Sequence, residues 1–320
     1  MKRFVCSILI LTCALCLFSG CSKKIPPRTV RIAIQPSAAF MPLYVARYAG
    51  TLEKALAPKK VTVVWQDFES GPPINESLAA DLSDIGVIGD VPTVVALAGS
   101  TRMKLVGIPA SGPNAYAMLG RKDDDSFSST KDLRGKRVAT VFGSTGHNLT
   151  KKLLEKEGLS FEDIEFSNIA VSDAEAMLKT FVADAVVIWE PNITRLLDRG
   201  FTKIIAKGDE TNLRGTNGFI VREEYLTANA DIISVILDEY AAAVKELANL
   251  SPDIAEKLAK ALGITPEQIA PIAAKYQYVV SVTQDDIEAL QDTISFLVSI
   301  QKLSGEYRVE QFVDKTGFER

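Results

Sequence analysis

The chain has 320 residues, with 36 lysines and arginines, 40 aspartates and glutamates, and a formal net charge of −4 at pH 7. This acidic balance argues against a nucleic-acid surface, and the single histidine, His147, excludes a histidine-rich metal site. We therefore expect no nucleic-acid partner, no metal ion and no cofactor.

The first 21 residues have the layout of a secretory signal peptide, in which Lys2 and Arg3 precede an apolar run that leads to small residues and Cys21. The run is about 15 residues long, shorter than the roughly 20 that a spanning helix needs. The segment resembles the lipobox of bacterial lipoproteins, which implies cleavage before Cys21, lipidation of its thiol and an anchored location outside the cytoplasm. The alternative is an ordinary secreted protein with an incidental cysteine. Residues 22–28 then form a short tether.

From residue 30 the chain alternates short β-branched runs with helical patterns, which is typical of α/β layering around mainly parallel sheets. After Tyr225 the pattern is helical alone, with starts at Ser251, Thr265 and Thr283 and a stop at Gly263. The predicted strands are Val30–Ile34, Val61–Phe68, Ile85–Ile88, Leu105–Ile108, Arg137–Val141, Ala185–Trp189 and Ile204–Ala206, and the first predicted helix is Leu43–Leu56.

One pattern occurs twice, in residues 84–92 and 184–191. In each copy an aspartate precedes a short apolar strand, an acidic residue (Asp90 or Glu190) stands six positions further on, and a proline follows. We interpret this as an internal repeat that predicts two similar lobes. Chance repetition of so short a pattern is the alternative.

The turn Gly143–Asn148 lies between a predicted strand and a predicted helix, at the edge where open α/β sheets bind ligands. Its glycines let the backbone approach a ligand, Ser144 and Thr145 add hydroxyl groups, and the N–H groups that begin the next helix favour an anionic oxygen. Helix capping by either hydroxyl is the alternative. The turn has no lysine and no Walker spacing, so a nucleoside triphosphate is not expected.

Two further turns place Asp90, Trp189 and Glu190 at the same edge. The carboxylates either cap helices or meet an amine or ring nitrogen of the ligand, and they argue against a multiply charged anion. Trp189 either covers an apolar part of the ligand or packs in the core.

An enzyme is the remaining class. A serine hydrolase would have to pair Ser144 with His147, and the sequence identifies no acidic residue to orient that imidazole. Because all four cysteines lie at or before Cys21, cleavage there also leaves no thiol nucleophile. We therefore expect no catalysis, with His147 donating a hydrogen bond near the cleft or capping the helix.

Six segments share their order and spacing with a known family: Val30–Pro36, Asp67–Pro73, Asp84–Pro92, Asp132–Val138, Gly143–Leu149 and Ile188–Pro191. In these segments the chain resembles the extracytoplasmic substrate-binding proteins of ABC importers for aliphatic sulfonates and taurine, within the wider group that serves nitrate and thiamine-pyrimidine precursors. The resemblance implies a two-lobed periplasmic-binding-protein type II fold, with mixed sheets flanked by helices and two hinge crossings. Lobe one would comprise residues 29–112 and 219–320, and lobe two residues 113–218.

The resemblance also implies a function in uptake, in which a monomer closes on a small organic anion and delivers it to a cognate ABC permease. An aliphatic sulfonate or taurine is the first expectation, and a thiamine-pyrimidine precursor or nitrate is the alternative. The turns and the resemblance together predict these ligand-binding residues: Gln35, Ser37, Gly89, Asp90, Ser144, Thr145, Gly146, His147, Asn148, Trp189, Glu190, Asn217 and Gly218.

Overall fold

The computed structural model describes residues 28–99 and 102–314. The predicted signal peptide, Cys21 and all but the last residue of the tether therefore lie outside the described residues. In the described residues, two five-stranded sheets and one two-stranded ribbon alternate with helices, which confirms the α/β class. The strands are β1 Arg28–Ile34, β2 Val61–Asp67, β3 Ile85–Gly89, β4 Met103–Gly107, β5 Ala110–Ser111, β6 Tyr116–Arg121, β7 Arg137–Thr140, β8 Glu165–Asn168, β9 Ala185–Trp189, β10 Thr202–Lys207, β11 Asn217–Arg222 and β12 Gln277–Tyr278.

The two large sheets have the same strand order. The first runs β2-β1-β3-β11-β4, and the second, read from the matching edge, runs β8-β7-β9-β6-β10. In both, the first three strands are parallel and the last two pairings are antiparallel. This shared order confirms the internal repeat. The sheets are mixed rather than mainly parallel, because β6 and β11, which the sequence patterns did not predict, each insert antiparallel beside a central strand.

The repeat extends to side chains at the start of the central strands. Arg31 donates to both carboxylate oxygens of Asp84, at 2.6 and 3.0 Å, and Arg137 does the same to Asp184, at 2.6 and 3.1 Å. Burial acts to raise the pKa of each aspartate, but the arginine hydrogen bonds outweigh it and hold both pKa values below the ordinary range. Each sheet is thus fastened by an equivalent ion pair.

The chain crosses between the sheets twice. It leaves the first sheet after β4, reaches the second at β6, and returns between β10 and β11. The ribbon of β5 and β12 lies beside the first crossing and ties the carboxy-terminal segment to it. The predicted lobe boundaries near residues 112 and 218 stay a prediction.

The helix ends follow the capping signals of the sequence. Ser251 accepts from the Ile254 N–H at 3.4 Å at one helix start, Thr265 and Thr283 form capping boxes at two others, and Gly263 ends a helix at φ 65°. The helices are α1 Met41–Ala49, α2 Thr51–Leu56, α3 Gly71–Ala79, α4 Asp90–Ala98, α5 Thr145–Lys156, α6 Ala174–Lys179, α7 Asn192–Asp198, α8 Glu223–Glu246, α9 Pro252–Leu262, α10 Pro266–Ala273 and α11 Gln284–Ser299.

Helices α8 and α11 cover the first sheet. Apolar residues of α8, such as Ile236 and Tyr240, share a buried cluster with α1 and the central strands, while Leu290 and Leu297 of α11 pack in the cluster that includes α4. Among residues 28–99 and 102–314, no helix has both the length and the apolar composition needed to cross a bilayer.

Candidate ligand-binding site

The residues just beyond the carboxyl ends of β1, β3, β7 and β9 surround a small cavity between the two sheets. Its volume of ≈ 20 Å³ is room for about one water molecule. Both sheets contribute to the wall, as expected for open α/β sheets. The cavity is lined by Gln35, Ser37, Gly71, Gly89, Pro92, Tyr116, Ser144, Thr145, Trp189 and Asn217.

Two pairs of facing residues form opposite sides of the wall. In the first sheet Gly89 lies opposite Asn217, and in the second Trp189 lies opposite Tyr116. The side-chain amide of Asn217 donates to the carbonyl oxygens of Ala110 and Gly215, at 3.2 and 3.0 Å, and to the Tyr116 hydroxyl at 3.4 Å. These hydrogen bonds of Asn217 link the two sides of the cavity wall at the point where the chain crosses between the sheets.

Helix α5 begins at the cavity. Ser144 is its N-cap, and its hydroxyl accepts from the His147 N–H at 3.4 Å. Since this hydroxyl accepts that bond, its own proton remains available as a donor. Thr145 and Ser144 are both buried and both line the cavity. Capping and ligand contact, which the sequence left as alternatives for this turn, are therefore compatible.

Gln35 supplies an unsatisfied amide to the same cavity. Its side chain is buried, and its Oε1 atom has no hydrogen-bond partner among the described residues. A buried polar atom without a partner is unfavourable by about 1–3 kcal/mol. A ligand or a water molecule in the cavity would relieve this.

Asp90 lies behind the cavity wall and not in its lining. Its Oδ1 accepts from the Val91 N–H at 2.7 Å, and its Oδ2 accepts from Asn148 at 3.1 Å and from the Thr293 hydroxyl at 3.3 Å. The Thr145 hydroxyl also lies against this carboxylate. Burial raises the pKa of Asp90, and these hydrogen bonds act against the increase.

Glu190 is fully buried and directed away from the cavity. It accepts from the N–H and hydroxyl of Thr194, at 3.1 and 3.0 Å, and forms an ion pair with Lys275 from beyond α10. Its backbone oxygen accepts from the Ala38 N–H at 3.1 Å. Glu190 therefore caps α7 and holds the end of β9 against the loop after β1.

His147 lies outside the cavity lining, in an aromatic cluster. Its ring centroid is 5.0 to 5.3 Å from those of Phe142, Phe161, Phe166 and Phe296, the last of which belongs to α11. Its Nδ1 accepts from the Gly143 N–H at 3.3 Å. Burial, with a smaller effect of Lys302, lowers the pKa of His147 to about 4. The imidazole is thus a neutral packing group that accepts a hydrogen bond, where the sequence analysis expected either a donor near the cleft or a helix cap.

The other predicted residues outside the lining serve close packing. A Cβ on Gly146 would lie 2.5 Å from the Thr140 hydroxyl, and one on Gly218 would lie 2.6 Å from that of Thr93. Asn148 bridges α5 to Asp90. Of the thirteen predicted residues, the structure brings together at the cavity Gln35, Ser37, Gly89, Ser144, Thr145, Trp189 and Asn217.

Sequence reasoning missed Gly71, Pro92 and Tyr116 of the lining. Gly71 follows Ser70 at the start of α3, and this Ser-Gly-Pro-Pro start after a strand was a usable signal for a turn at the cleft. Pro92 lies against Gly71, where an added Cβ would meet its Cγ at 2.5 Å. Tyr116 had no such signal, since it begins the antiparallel strand β6.

Two α/β halves that meet over a polar cavity and are joined by two chain crossings have the architecture of the periplasmic-binding-protein fold. The chain belongs to the NMT1/THI5 like family, whose model matches residues 39–253. It is similar to an aliphatic sulfonates-binding protein of Escherichia coli, with 28% identity over 250 residues, 78% of this chain and 75% of that protein. It is 25% identical over 284 residues to the taurine-binding periplasmic protein of Escherichia coli, covering 84% and 85% of the two chains.

Solved structures confirm the periplasmic-binding-protein fold. The alkanesulfonate-binding protein of Xanthomonas axonopodis pv. citri, bound to MOPS, superposes with a TM-score of 0.80 at 26% identity, covering 90% of this chain and 98% of that one. A desulfurization enzyme superposes with a TM-score of 0.65 at 15% identity, covering 89% and 96% of the two chains. The fold alone therefore does not separate binding proteins from enzymes.

Proposed function

We propose that this chain is the solute-binding component of an ABC importer and that it captures a small organic anion, an aliphatic sulfonate or taurine, between its lobes. In this proposal residues 29–112 and 219–320 form lobe one, and residues 113–218 form lobe two. The similar proteins support the class. The observation that supports an anionic ligand is that helix α5 begins at the cavity.

The first N–H groups of an α-helix have no partner within the helix, and its dipole places about half a positive charge at that end. In α5 these groups belong to Thr145 and Gly146, directly after the Ser144 hydroxyl at the cavity. A sulfonate head group matches these donors because it accepts several hydrogen bonds and carries one negative charge. It is larger than the ≈ 20 Å³ cavity, so in this proposal the lobes close less tightly around the ligand than they do here. The indole of Trp189, on the same wall, suits the adjoining carbon atoms.

Capture proceeds by hinge closure. Ser172 of lobe two donates its N–H and hydroxyl to Glu69 of lobe one, at 3.1 and 2.8 Å, and Lys152 pairs with Asp292 across the same boundary. These contacts form when the lobes meet. A ligand that touches both walls binds the closed arrangement better and shifts the hinge equilibrium toward it.

The thiamine-pyrimidine alternative depended on Asp90 and Glu190 meeting a cationic or heteroaromatic ligand. Glu190 is instead occupied by Thr194 and Lys275, and Asp90 by donors from three elements. No observation favours this alternative. Nitrate, a small monoanion, remains a competitor that the binding test includes.

We also propose that the protein is not an enzyme. A hydrolase would need a His147 imidazole that takes a proton from Ser144. The Ser144 hydroxyl instead contacts the backbone N–H of His147, and the ring packs among phenylalanines with its pKa lowered to about 4.

Outside the lobes, we propose a lipid anchor on Cys21 that keeps a monomer near its permease. The similarity to a periplasmic protein supports a location outside the cytoplasm. Cys21→Ser should move the protein from the membrane fraction to the soluble fraction without changing ligand affinity. Retention of this variant in membranes would contradict the anchor.

A thermal-shift panel with methanesulfonate, taurine, nitrate and a pyrimidine precursor tests the ligand class. At a hundredfold excess over Kd, a true ligand stabilises the fold by about 2.7 kcal/mol. Ser144→Ala should weaken sulfonate binding at least about tenfold, which is 1.4 kcal/mol. Ser160→Ala removes an equivalent serine cap at an exposed turn and serves as the matched control. No response to any sulfonate would contradict the proposal.

A further inference from the structure

Asp90 places a buried carboxylate directly behind the cavity wall. It is 3% exposed, it follows the lining residue Gly89, and it contacts the lining residue Thr145. We propose that Asp90 determines charge specificity: it admits monoanions such as sulfonates and excludes dianions such as sulfate. This inference rests on the proposed function and deepens it.

The lone pairs of Asp90 are already occupied. A carboxylate has about four acceptor positions, and here they face Val91, Asn148, Thr293 and Thr145. No position is left for a ligand amine, so Asp90 acts through its charge and not by ligand contact. Val91, Asn148 and Thr145 donate to it, and the Thr293 hydroxyl donates either to it or to the Ala289 carbonyl at 3.1 Å. Burial raises the pKa of Asp90, whereas these donors and the start of α4, whose dipole favours an anion, support the ionised form.

Within residues 28–99 and 102–314, no lysine or arginine forms an ion pair with this carboxylate. The cation that acts on Asp90 electrostatically is Lys152, and Lys152 is paired with Asp292. The contrast is with Glu190, at the equivalent position of the repeat, whose carboxylate is paired with Lys275. The wall therefore carries net negative charge on the side of lobe one.

A ligand in the cavity experiences two opposing fields. The start of α5 offers roughly half a positive charge, while Asp90 offers a full negative one. Both interactions are proportional to the charge of the ligand, so where the full charge of Asp90 outweighs the half charge of α5, the net repulsion is twice as large for a dianion as for a monoanion, and in a buried site it is weakly screened. Sulfate carries two charges where a sulfonate carries one, so the wall discriminates between two head groups of nearly the same shape.

Asp90→Asn removes the charge and keeps the shape. Asn148 can accommodate the change, because its Oδ1 is buried without a partner and a rotation of its amide brings that oxygen toward the new amide group. The Thr293 hydroxyl can turn to accept. Thr293→Val is the matched control, since it deletes a neutral donor to Asp90 and leaves the charge in place.

Titration calorimetry with methanesulfonate and sodium sulfate at constant ionic strength tests the proposal. The wild type and Thr293→Val should bind methanesulfonate much more tightly than sulfate. In Asp90→Asn the Kd for sulfate divided by the Kd for methanesulfonate should fall by about tenfold or more, which is 1.4 kcal/mol. An unchanged ratio in Asp90→Asn would overturn the charge filter and leave the proposed function standing. A wild type that binds no sulfonate would overturn both.

A second measurement needs no variant. Methylphosphonate passes from a monoanion to a dianion near neutral pH, whereas methanesulfonate stays a monoanion. The wild type should therefore lose affinity for methylphosphonate as the pH rises through neutrality, with methanesulfonate affinity constant. Equal behaviour of the two ligands would contradict the filter even if Asp90→Asn failed to fold.

Discussion

Lowering the pH should reduce the free energy of unfolding, because the His147 imidazole is buried in its neutral form. His147 is 7% exposed, and the pKa of its ring is lowered from 6.5 to about 4 by burial among four phenylalanines, with a smaller contribution from Lys302. At 1.36 kcal/mol for each pKa unit, the neutral ring contributes about 3 kcal/mol to the free energy of unfolding at pH 7.

The sign follows from which state binds the proton first. As the pH falls below 6.5, the unfolded chain protonates at this histidine while the folded chain does not, so acid favours unfolding. The contribution is complete above pH 6.5 and is lost by about pH 4, where the folded state also takes up the proton. Carboxylates such as Asp84 and Asp184, with lowered pKa values, add their own losses at still lower pH.

His147→Phe separates these effects. The variant keeps an aromatic ring in the cluster and loses the hydrogen bond from Gly143, a cost of about 1 kcal/mol that does not depend on pH near neutrality. Urea unfolding of both proteins, followed by tryptophan fluorescence from about pH 7 to about pH 4.5, measures the difference. Over this range the wild type should lose about 2.5 kcal/mol more than the variant. Parallel pH profiles would refute the buried neutral imidazole.

Two other substitutions test the boundary between the lobes. Gly89→Ala places a Cβ 2.5 Å from the Thr145 hydroxyl, so it should weaken ligand affinity by obstructing closure of the lobes. The free energy of unfolding should change by less than about 1 kcal/mol. Calorimetry measures the affinity and urea unfolding the stability, and an unchanged affinity would contradict the contact. Lys275→Met leaves the buried Glu190 with Thr194 alone, so it should destabilise the fold by about 1–3 kcal/mol. Glu190→Gln in the same background should recover part of that loss, and an additive double mutant would refute the pairing.

The sequence predicted features that depend on neighbouring residues. The helix starts at Ser251, Thr265 and Thr283 were correct because a cap and the N–H groups that it satisfies lie within one turn. Strands β6 and β11 were missed because Tyr116–Arg121 and Asn217–Arg222 have no apolar pattern as clear as that of the parallel strands that they join. Their place depends on pairing with distant segments.

The dependence on distant partners also explains which site residues could be predicted from the sequence. The turn at Ser144 and Thr145 was predicted at the cavity because glycine and hydroxyl residues before a helix indicate such a turn. The directions of Asp90 and Glu190 were not predictable, since their partners Thr293 and Lys275 are 203 and 85 positions away in the chain. Distant partners decide whether a carboxylate faces a ligand or the protein interior.

Asp90 and Glu190 occupy equivalent positions in the repeated strand order. Glu190 pairs with a lysine, whereas Asp90 meets neutral donors in the part of the chain that the structure describes. Under the proposed charge filter, a single cationic substitution on α11 near position 293 would neutralise Asp90 and admit a dianion without changing the residues that line the cavity. A change in the charge of the preferred anion would then arise from a residue that does not contact the ligand.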